Sequence, residues 1–111
     1  MKAFFKELSL FAAGRSNYLA DEQYRQIQNQ LMRNPAAGAT IAGTGGLRKV
    51  RIADPRRGKG KRGGLRTIYY WDRSQSVFWL FMIYDKNEME DLNSAERAEL
   101  KELLEEALAY G

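Results

Sequence analysis

Two neighbouring segments rich in apolar and aromatic residues constrain the fold more than any other feature of the sequence. Residues 65–71 and 76–84 are both dominated by β-prone side chains, and the polar residues 72–75 separate them. This pattern is typical of a β-hairpin. The aromatic side chains expected to pack in its core are Tyr69, Trp71, Phe78, Trp79 and Phe81. The rest of the chain must therefore be arranged around an antiparallel pair of strands.

A helix is predicted from Asp21 to the Asn34-Pro35 pair. Asp21 is a suitable N-cap, and proline disfavours the helical conformation of the residue before it. Apolar residues recur on one face of this segment, and they are Tyr24, Ile27, Leu31 and Met32. Such spacing indicates a helix that packs on the sheet.

The two ends of the chain carry further signals. Residues 2–7 read as a strand, and a short helix over residues 8–13, broken at Gly14, fits the ambiguous stretch that follows. Near the C-terminus, Asn93 and Glu96 have the spacing of a capping box. An apolar stripe then follows, formed by Leu100, Leu103, Leu104, Ala107 and Leu108. The last segment is therefore predicted to be a helix.

The order strand, helices, three strands, helix predicts an α+β fold in one domain spanning residues 1–111. The first of these three strands follows Gly45-Gly46 and alternates, with Leu47, Lys49 and Arg51 on one face and Arg48, Val50 and Ile52 on the other. We expect an antiparallel sheet of about four strands with all helices on one face. The other face would then be open for a basic surface.

Charge is sharply segregated along the chain. Residues 47–66 contain nine basic residues and one acidic residue, a net charge of +8, whereas residues 85–111 carry −6. Such a concentration is expected of a protein that binds a polyanion. A solvated basic loop that aids solubility is the alternative interpretation.

Histidine and cysteine are both absent. Disulfides, thiolate nucleophiles and zinc sites built on these ligands are therefore excluded, and proton transfer would need Lys, Arg, Tyr, Asp or Glu. No apolar run approaches the length of a membrane span, and the first residues lack the features of a secretory signal. We expect a cytoplasmic protein that does not contact membranes.

Three segments together resemble the RelE/HigB toxins of the RelE/ParE superfamily. Residues 43–51 read GTGGLRKVR, residues 58–70 read GKGKRGGLRTIYY, and residues 84–92 read YDKNEMEDL. Each alone is weak, but their order and spacing in a chain of this length are fairly specific. The similarity extends over nearly the whole chain and is greatest to HigB-type toxins.

The resemblance implies a toxin of a type II toxin–antitoxin system with a small twisted sheet flanked by helices. It also implies cleavage of mRNA in the A site of the 70S ribosome, with no metal or other cofactor. A cognate antitoxin, in this family often carrying a helix-turn-helix domain, would silence the toxin.

In that scheme a base activates the 2′-OH for attack on the neighbouring phosphate, and cations hold the charged intermediate. We assign the base or its electrostatic support to Lys61 and secondarily Lys59, because surrounding positive charge lowers the pKa of a lysine. A role in contacting RNA backbone is equally open for both. Arg66 matches the strand arginine of the family and would hold the phosphate. Tyr84 and Lys86 are candidates for stacking on a base or protonating the leaving group, and a plain packing role in the sheet is equally open for Tyr84. The predicted RNA- or ribosome-binding residues are Arg48, Lys49, Arg51, Arg56, Arg57 and Arg62.

The sequence departs from the best-known RelE pattern in one respect. Asn87 stands where an arginine acid is expected, and Tyr110 lies too far along the last helix to replace a terminal catalytic tyrosine. The general acid is therefore unassigned. Three alternatives stay open: a ParE-like poison of DNA gyrase, a nucleic-acid-binding module without catalysis, and a phage-type or otherwise decayed toxin that retains only the fold.

Overall fold

The computed structural model describes residues 2–52, 64–86, 88–89 and 91–110, which form five strands and three helices. The elements are β1 (Phe4–Glu7), α1 (Ser9–Tyr18), α2 (Asp21–Arg33), β2 (Ala39–Thr40), β3 (Arg48–Ile52), β4 (Leu65–Asp72), β5 (Val77–Asp85) and α3 (Ser94–Tyr110). The predicted α+β class is confirmed. None of the described helices has the length and apolar character needed to cross a lipid bilayer.

The hairpin predicted from the sequence forms the centre of the sheet as β4 and β5. Its turn is held by Asp72, whose Oδ1 accepts hydrogen bonds from the backbone N–H and the hydroxyl of Ser74 at 3.1 and 2.6 Å. Such a bond from the side chain to the backbone two residues on is characteristic of Asp in turns.

The sheet has five strands rather than about four, in the order β1-β5-β4-β3-β2. It is mixed rather than wholly antiparallel, because β1 runs parallel to β5. Since β3 pairs with β4, β1 lies along the outer edge of β5. The extra strand, β2, has two residues and pairs with β3, an element that the sequence analysis did not predict.

One face of the sheet is covered by α1 and α2. The core on this side contains Phe11, Leu19, Tyr24, Ile27, Leu31, Val50, Ile52, Leu65, Tyr69, Phe78, Leu80 and Ile83. The predicted break at Gly14 is wrong, because α1 continues through it. A Cβ at this position would lie 3.1 Å from Cγ2 of Ile83, so glycine allows the helix to approach the sheet closely.

The start of α2 also differs in detail from the prediction. Ala20, not Asp21, is the N-cap, and its backbone N–H donates to Oε1 of Gln23 at 3.0 Å. Asp21 is the first helical residue, where its charge interacts favourably with the helix dipole. Its Oδ1 also accepts a hydrogen bond of 2.8 Å from Arg15 of α1.

The opposite face is covered in part by α3, so the expectation that all helices share one face is wrong. The apolar stripe of α3 needs a partner, and it packs against residues of the sheet that the N-terminal helices leave uncovered. This second core contains Leu47, Ile68, Val77, Trp79, Phe81, Tyr84, Leu92, Leu100 and Leu104. The predicted capping box is confirmed, since Asn93 and Glu96 exchange backbone-to-side-chain hydrogen bonds of 2.9 and 2.8 Å.

A β-bulge interrupts the central hairpin. Met82 pairs with Ile68, whereas Leu80 pairs with the next residue, Tyr69, so Phe81 is an extra residue on β5. Phe81 and Met82 consequently pack in the same cluster, on the face that carries α3. The bulge therefore shifts the alternation of every later residue on β5 relative to the residues before it.

Candidate functional site

Register across three strands places Arg51, Arg66 and Tyr84 in one row. Arg51 of β3 is the partner of Arg66 of β4, and Arg66 is in turn the partner of Tyr84 of β5. Residues directly opposite in neighbouring strands point to the same face of the sheet. Lys49 lies two residues before Arg51 and so shares that face.

Arg66 is the most buried of the cations in this row, with only 5% of its surface exposed. Its Nη1 donates to the backbone oxygens of Gly64 and Leu65 at 3.2 and 3.3 Å. These bonds orient the guanidinium. An oriented cation with little water around it interacts strongly with an anion.

The row borders a pocket of about 620 Å³ on the face that also carries α3. Its lining comprises Lys49, Arg51, Arg66, Tyr84, Lys86, Met89 and Asp91. Four of these side chains are cationic and one is acidic. An oxyanion such as a phosphate group of a nucleic acid suits this composition best.

Tyr84 is buried in the same row and is a member of the second core, beneath α3, which we call the α3 cluster. Burial raises the pKa of its hydroxyl above the ordinary value, although the nearby charge of Arg66 opposes this effect. The hydroxyl is therefore protonated at neutral pH. In that state it can donate a hydrogen bond, or a proton, to an oxygen in the pocket.

Lys49 forms the one ion pair found among the lining residues that the structure describes. Its Nζ lies 2.9 Å from Oδ1 of Asp91, which belongs to the segment between β5 and α3. The hydrogen bond and charge of Lys49 lower the pKa of Asp91. Lys86 lies exposed in the turn after β5, where the backbone N–H groups of Glu88 and Met89 donate to the oxygen of Asp85.

The structure brings together five of the residues predicted from the sequence, namely Lys49, Arg51, Arg66, Tyr84 and Lys86. Arg48 lies on the other face of β3, where its Nη1 donates to the oxygen of Gly38 at 2.8 Å. The remaining predicted residues, Arg56, Arg57, Lys59, Lys61 and Arg62, lie outside the described part of the chain.

Two residues of the lining, Met89 and Asp91, were not predicted from the sequence. Both belong to the third segment that carried the family resemblance, residues 84–92, and Asp91 stands two residues before the N-cap of α3. That proximity to a predicted cap was the available signal, because a cap fixes the position of the residues just before it. Within residues 2–52, 64–86, 88–89 and 91–110, no cluster of side chains is arranged to hold a metal ion.

Two comparisons relate this architecture to known proteins. The structure is similar to that of the E. coli toxin RelE, solved in the free state as a mutant with two arginines replaced by alanine. The TM-score is 0.52 at 14% identity, over 81% of this chain and 90% of that one, which shows a shared fold. The family model described as the RelE toxin of the RelE/RelB toxin–antitoxin system matches residues 2–110. The chain therefore belongs to the RelE family of toxins.

Proposed function

We propose that this toxin is a ribosome-dependent endoribonuclease that cleaves mRNA in the A site without a metal, and so inhibits translation. The observation that carries the proposal is the position of Arg66, buried on a central strand between Arg51 and Tyr84 in a cationic pocket. A pre-organised cation at this place is what the chemistry requires.

The proposed reaction is an internal transesterification. The 2′-oxygen of one nucleotide loses its proton and bonds to the adjacent phosphorus, and the bond from phosphorus to the 5′-oxygen breaks. The products are a 2′,3′-cyclic phosphate and a 5′-hydroxyl that has gained a proton. Negative charge accumulates on the non-bridging oxygens as the 2′-oxygen adds, and Arg66 would stabilise it, with Arg51 beside it.

Tyr84 is the best-placed proton donor among the described residues. Its hydroxyl stays protonated at neutral pH, and it lies in the same row as Arg66. A proton donor beside Arg66 lies close to the phosphate that Arg66 would hold, and so can protonate the leaving 5′-oxygen. Lys86, exposed in the turn after β5, is the second candidate for this role.

The general base that takes the proton of the 2′-OH is assigned from the sequence alone. Lys61, with Lys59 as support, precedes Arg66 in a segment dense with positive charge, which favours the neutral amine that a base requires. Replacing each lysine by alanine tests the assignment. Ribosome-dependent cleavage that survives both substitutions would leave these lysines as RNA contacts only.

The proposed partners follow from the family and from charge. The family is that of the toxin of a toxin–antitoxin system, and we propose that a cognate antitoxin carrying a helix-turn-helix domain silences this protein. The 70S ribosome and its mRNA are the proposed targets, in the cytoplasm. Arg56, Arg57 and Arg62 would contribute further contacts to RNA.

The experiment that tests this function is primer extension on mRNA in programmed 70S ribosomes. We expect A-site breaks with the wild-type protein and a loss of about 10²–10³-fold in rate for Arg66→Ala, as for removal of one pre-organised donor. Arg66→Lys keeps the charge but loses bidentate hydrogen bonding to the phosphate, so this variant should also cleave slowly.

The matched control is Arg73→Ala, which removes the same charge from the exposed turn at the other end of β4. It should cut like the wild type. Intact mRNA, together with inhibited supercoiling by DNA gyrase, would replace the proposal with the gyrase-poison function. Intact mRNA without toxicity in cells would leave a nucleic-acid-binding module.

A further inference from the structure

The acidic side chain in the cationic pocket has no place in the chemistry proposed above. Asp91 lines the pocket with Lys49, Arg51 and Arg66, and its carboxylate lies 2.9 Å from Nζ of Lys49. A carboxylate beside a phosphate-binding cation repels the phosphate and occupies the cation. Its low pKa also makes it a weak base, so a role in accepting the proton of the 2′-OH is not favoured.

The position of Asp91 is fixed by the residues that follow it, at the start of α3. Leu92, the next residue, is buried in the α3 cluster, and its backbone oxygen accepts a hydrogen bond of 3.2 Å from Nε of Arg97. Asn93 then caps the helix through its bond to Glu96. The ion pair therefore joins two elements: Asp91 is fixed at the start of α3, and Lys49 lies on β3.

The pair is nevertheless exposed on one side. The side chain of Asp91 is 82% exposed, whereas that of Lys49 is 31% exposed. Exposed ion pairs are weak, because water and salt screen them and two long side chains must be ordered. An incoming phosphate, placed also near Arg51 and Arg66, can therefore take Lys49 away from Asp91.

We infer that Asp91 is an internal counter-ion that occupies Lys49 in the free toxin and competes with RNA phosphate for it. The inference rests on the proposed function for the identity of the anion. It assigns to Asp91 a restraining role: the pocket of the free protein binds RNA more weakly than its cations alone would allow. Binding of RNA would then exchange one partner of Lys49 for another.

The test is binding of a short single-stranded RNA with 2′-O-methyl groups, which cannot be cleaved by 2′-OH attack, measured by fluorescence anisotropy at low salt. Asp91→Asn should bind about two- to fivefold tighter than the wild type, the size typical of an exposed ion pair. Asp91→Glu keeps the charge and should remain close to the wild type. Glu102→Gln, which removes one charge from the exposed surface of α3, is the matched control.

A double-mutant cycle separates the ion pair from general repulsion. In a Lys49→Ala background, Asp91→Asn should have little effect, because the cation it occupies has gone. An equal gain in both backgrounds would overturn the inference in favour of long-range repulsion. Unchanged or weaker binding of folded Asp91→Asn would also overturn it.

The same proteins distinguish failure of this inference from failure of the proposed function. Loss of RNA binding in Arg66→Ala, with no gain in Asp91→Asn, rejects the counter-ion and retains the pocket. Intact mRNA on ribosomes with the predicted binding changes rejects the nuclease and supports the counter-ion. Absence of any RNA binding by the wild type rejects the counter-ion role outright.

Discussion

Tyr84 combines two roles that one substitution can separate. Its ring packs in the α3 cluster, while its hydroxyl lies in the row with Arg66. Tyr84→Phe keeps the ring, so the thermal midpoint should change little. If the hydroxyl protonates the leaving group, single-turnover cleavage on programmed ribosomes should fall by about 10²–10⁴-fold.

The pH dependence of cleavage gives an independent check on Tyr84. An acid acts while it is protonated, so activity is lost as pH rises through its pKa. Burial raises that pKa, which places any falling limb due to Tyr84 above the ordinary tyrosine value of about 10. A wild-type rate in Tyr84→Phe would show that the side chain only packs.

Gly38 is a second residue whose identity the structure explains. A Cβ there would lie 2.9 Å from the carbonyl carbon and oxygen of Lys49 and 3.0 Å from Cε1 of Tyr69. The hydroxyl of Tyr69 accepts from the N–H of Gly38 and donates to the oxygen of Pro35, so neither neighbour can move easily.

We therefore predict that Gly38→Ala lowers the free energy of unfolding by about 1–3 kcal/mol, the usual cost of overfilling a packed site. Urea denaturation followed by circular dichroism measures it. The reduced chain entropy of alanine acts in the opposite direction but is smaller, at about 0.4–1 kcal/mol. An unchanged or higher midpoint would contradict the predicted clash.

At the level of elements, successive side chains of β3 point to opposite faces of the sheet, so its basic residues fall into two groups with different contacts. Arg51 lines the pocket, whereas Arg48 points to the other face and donates to the oxygen of Gly38. Arg51→Ala should weaken binding of short RNA and leave the urea midpoint nearly unchanged, because the side chain is exposed.

Arg48→Ala should show the reverse pattern, with RNA binding retained and stability reduced by about 0.5–1.5 kcal/mol, as for loss of one hydrogen bond. Anisotropy titrations and urea curves on both variants provide the comparison. Equal losses of RNA affinity in the two variants would mean that Arg48 also contacts RNA, as the sequence suggested.

Elements with a clear local signal could be predicted from the sequence. The hairpin, the span of α2 and the capping box of Asn93 all depend on residues close together in the chain. The continuation of α1 through Gly14 could not, because it depends on contact with Ile83, far along the sequence. The bulge at Phe81 is likewise set by pairing with another strand.

The sequence predicted the basic residues of the candidate site but not its acidic residue. Basic residues on predicted strands can be recognised in a sequence, and three of them, Arg66, Arg51 and Lys49, line the same pocket. Asp91 did not stand out, because it is one acid among the nine of residues 85–111. Asp91 lines the pocket because α3 packs on the same face of the sheet, whereas the sequence had predicted all helices on the other face.

For the whole molecule, the segregation of charge predicts how binding responds to salt. The pocket concentrates four cations, while exposed acids of α3 such as Glu99 and Glu102 lie on the surface of the helix. Single-stranded RNA releases condensed cations when its phosphates are neutralised, so affinity should fall steeply as salt rises.

Removal of one contact should lower the slope of log K against log salt by about 0.7. We expect this decrease for Arg51→Ala and none for Arg25→Ala, which removes an exposed charge from α2. Anisotropy titrations over a series of KCl concentrations measure both slopes. An unchanged slope in Arg51→Ala would mean that this side chain makes no phosphate contact.

The extra residue at Phe81 has a consequence for how a gene of this kind can change. Met82 and Tyr84 face the pocket side because the bulge offsets them from Leu80. Deleting the codon for Phe81 would make the alternation along β5 continuous, and it would leave Met82 opposite Ile68 and Tyr84 opposite Arg66. An in-frame deletion of three nucleotides at this spot would therefore shorten the strand by one residue and keep the site residues on the same face.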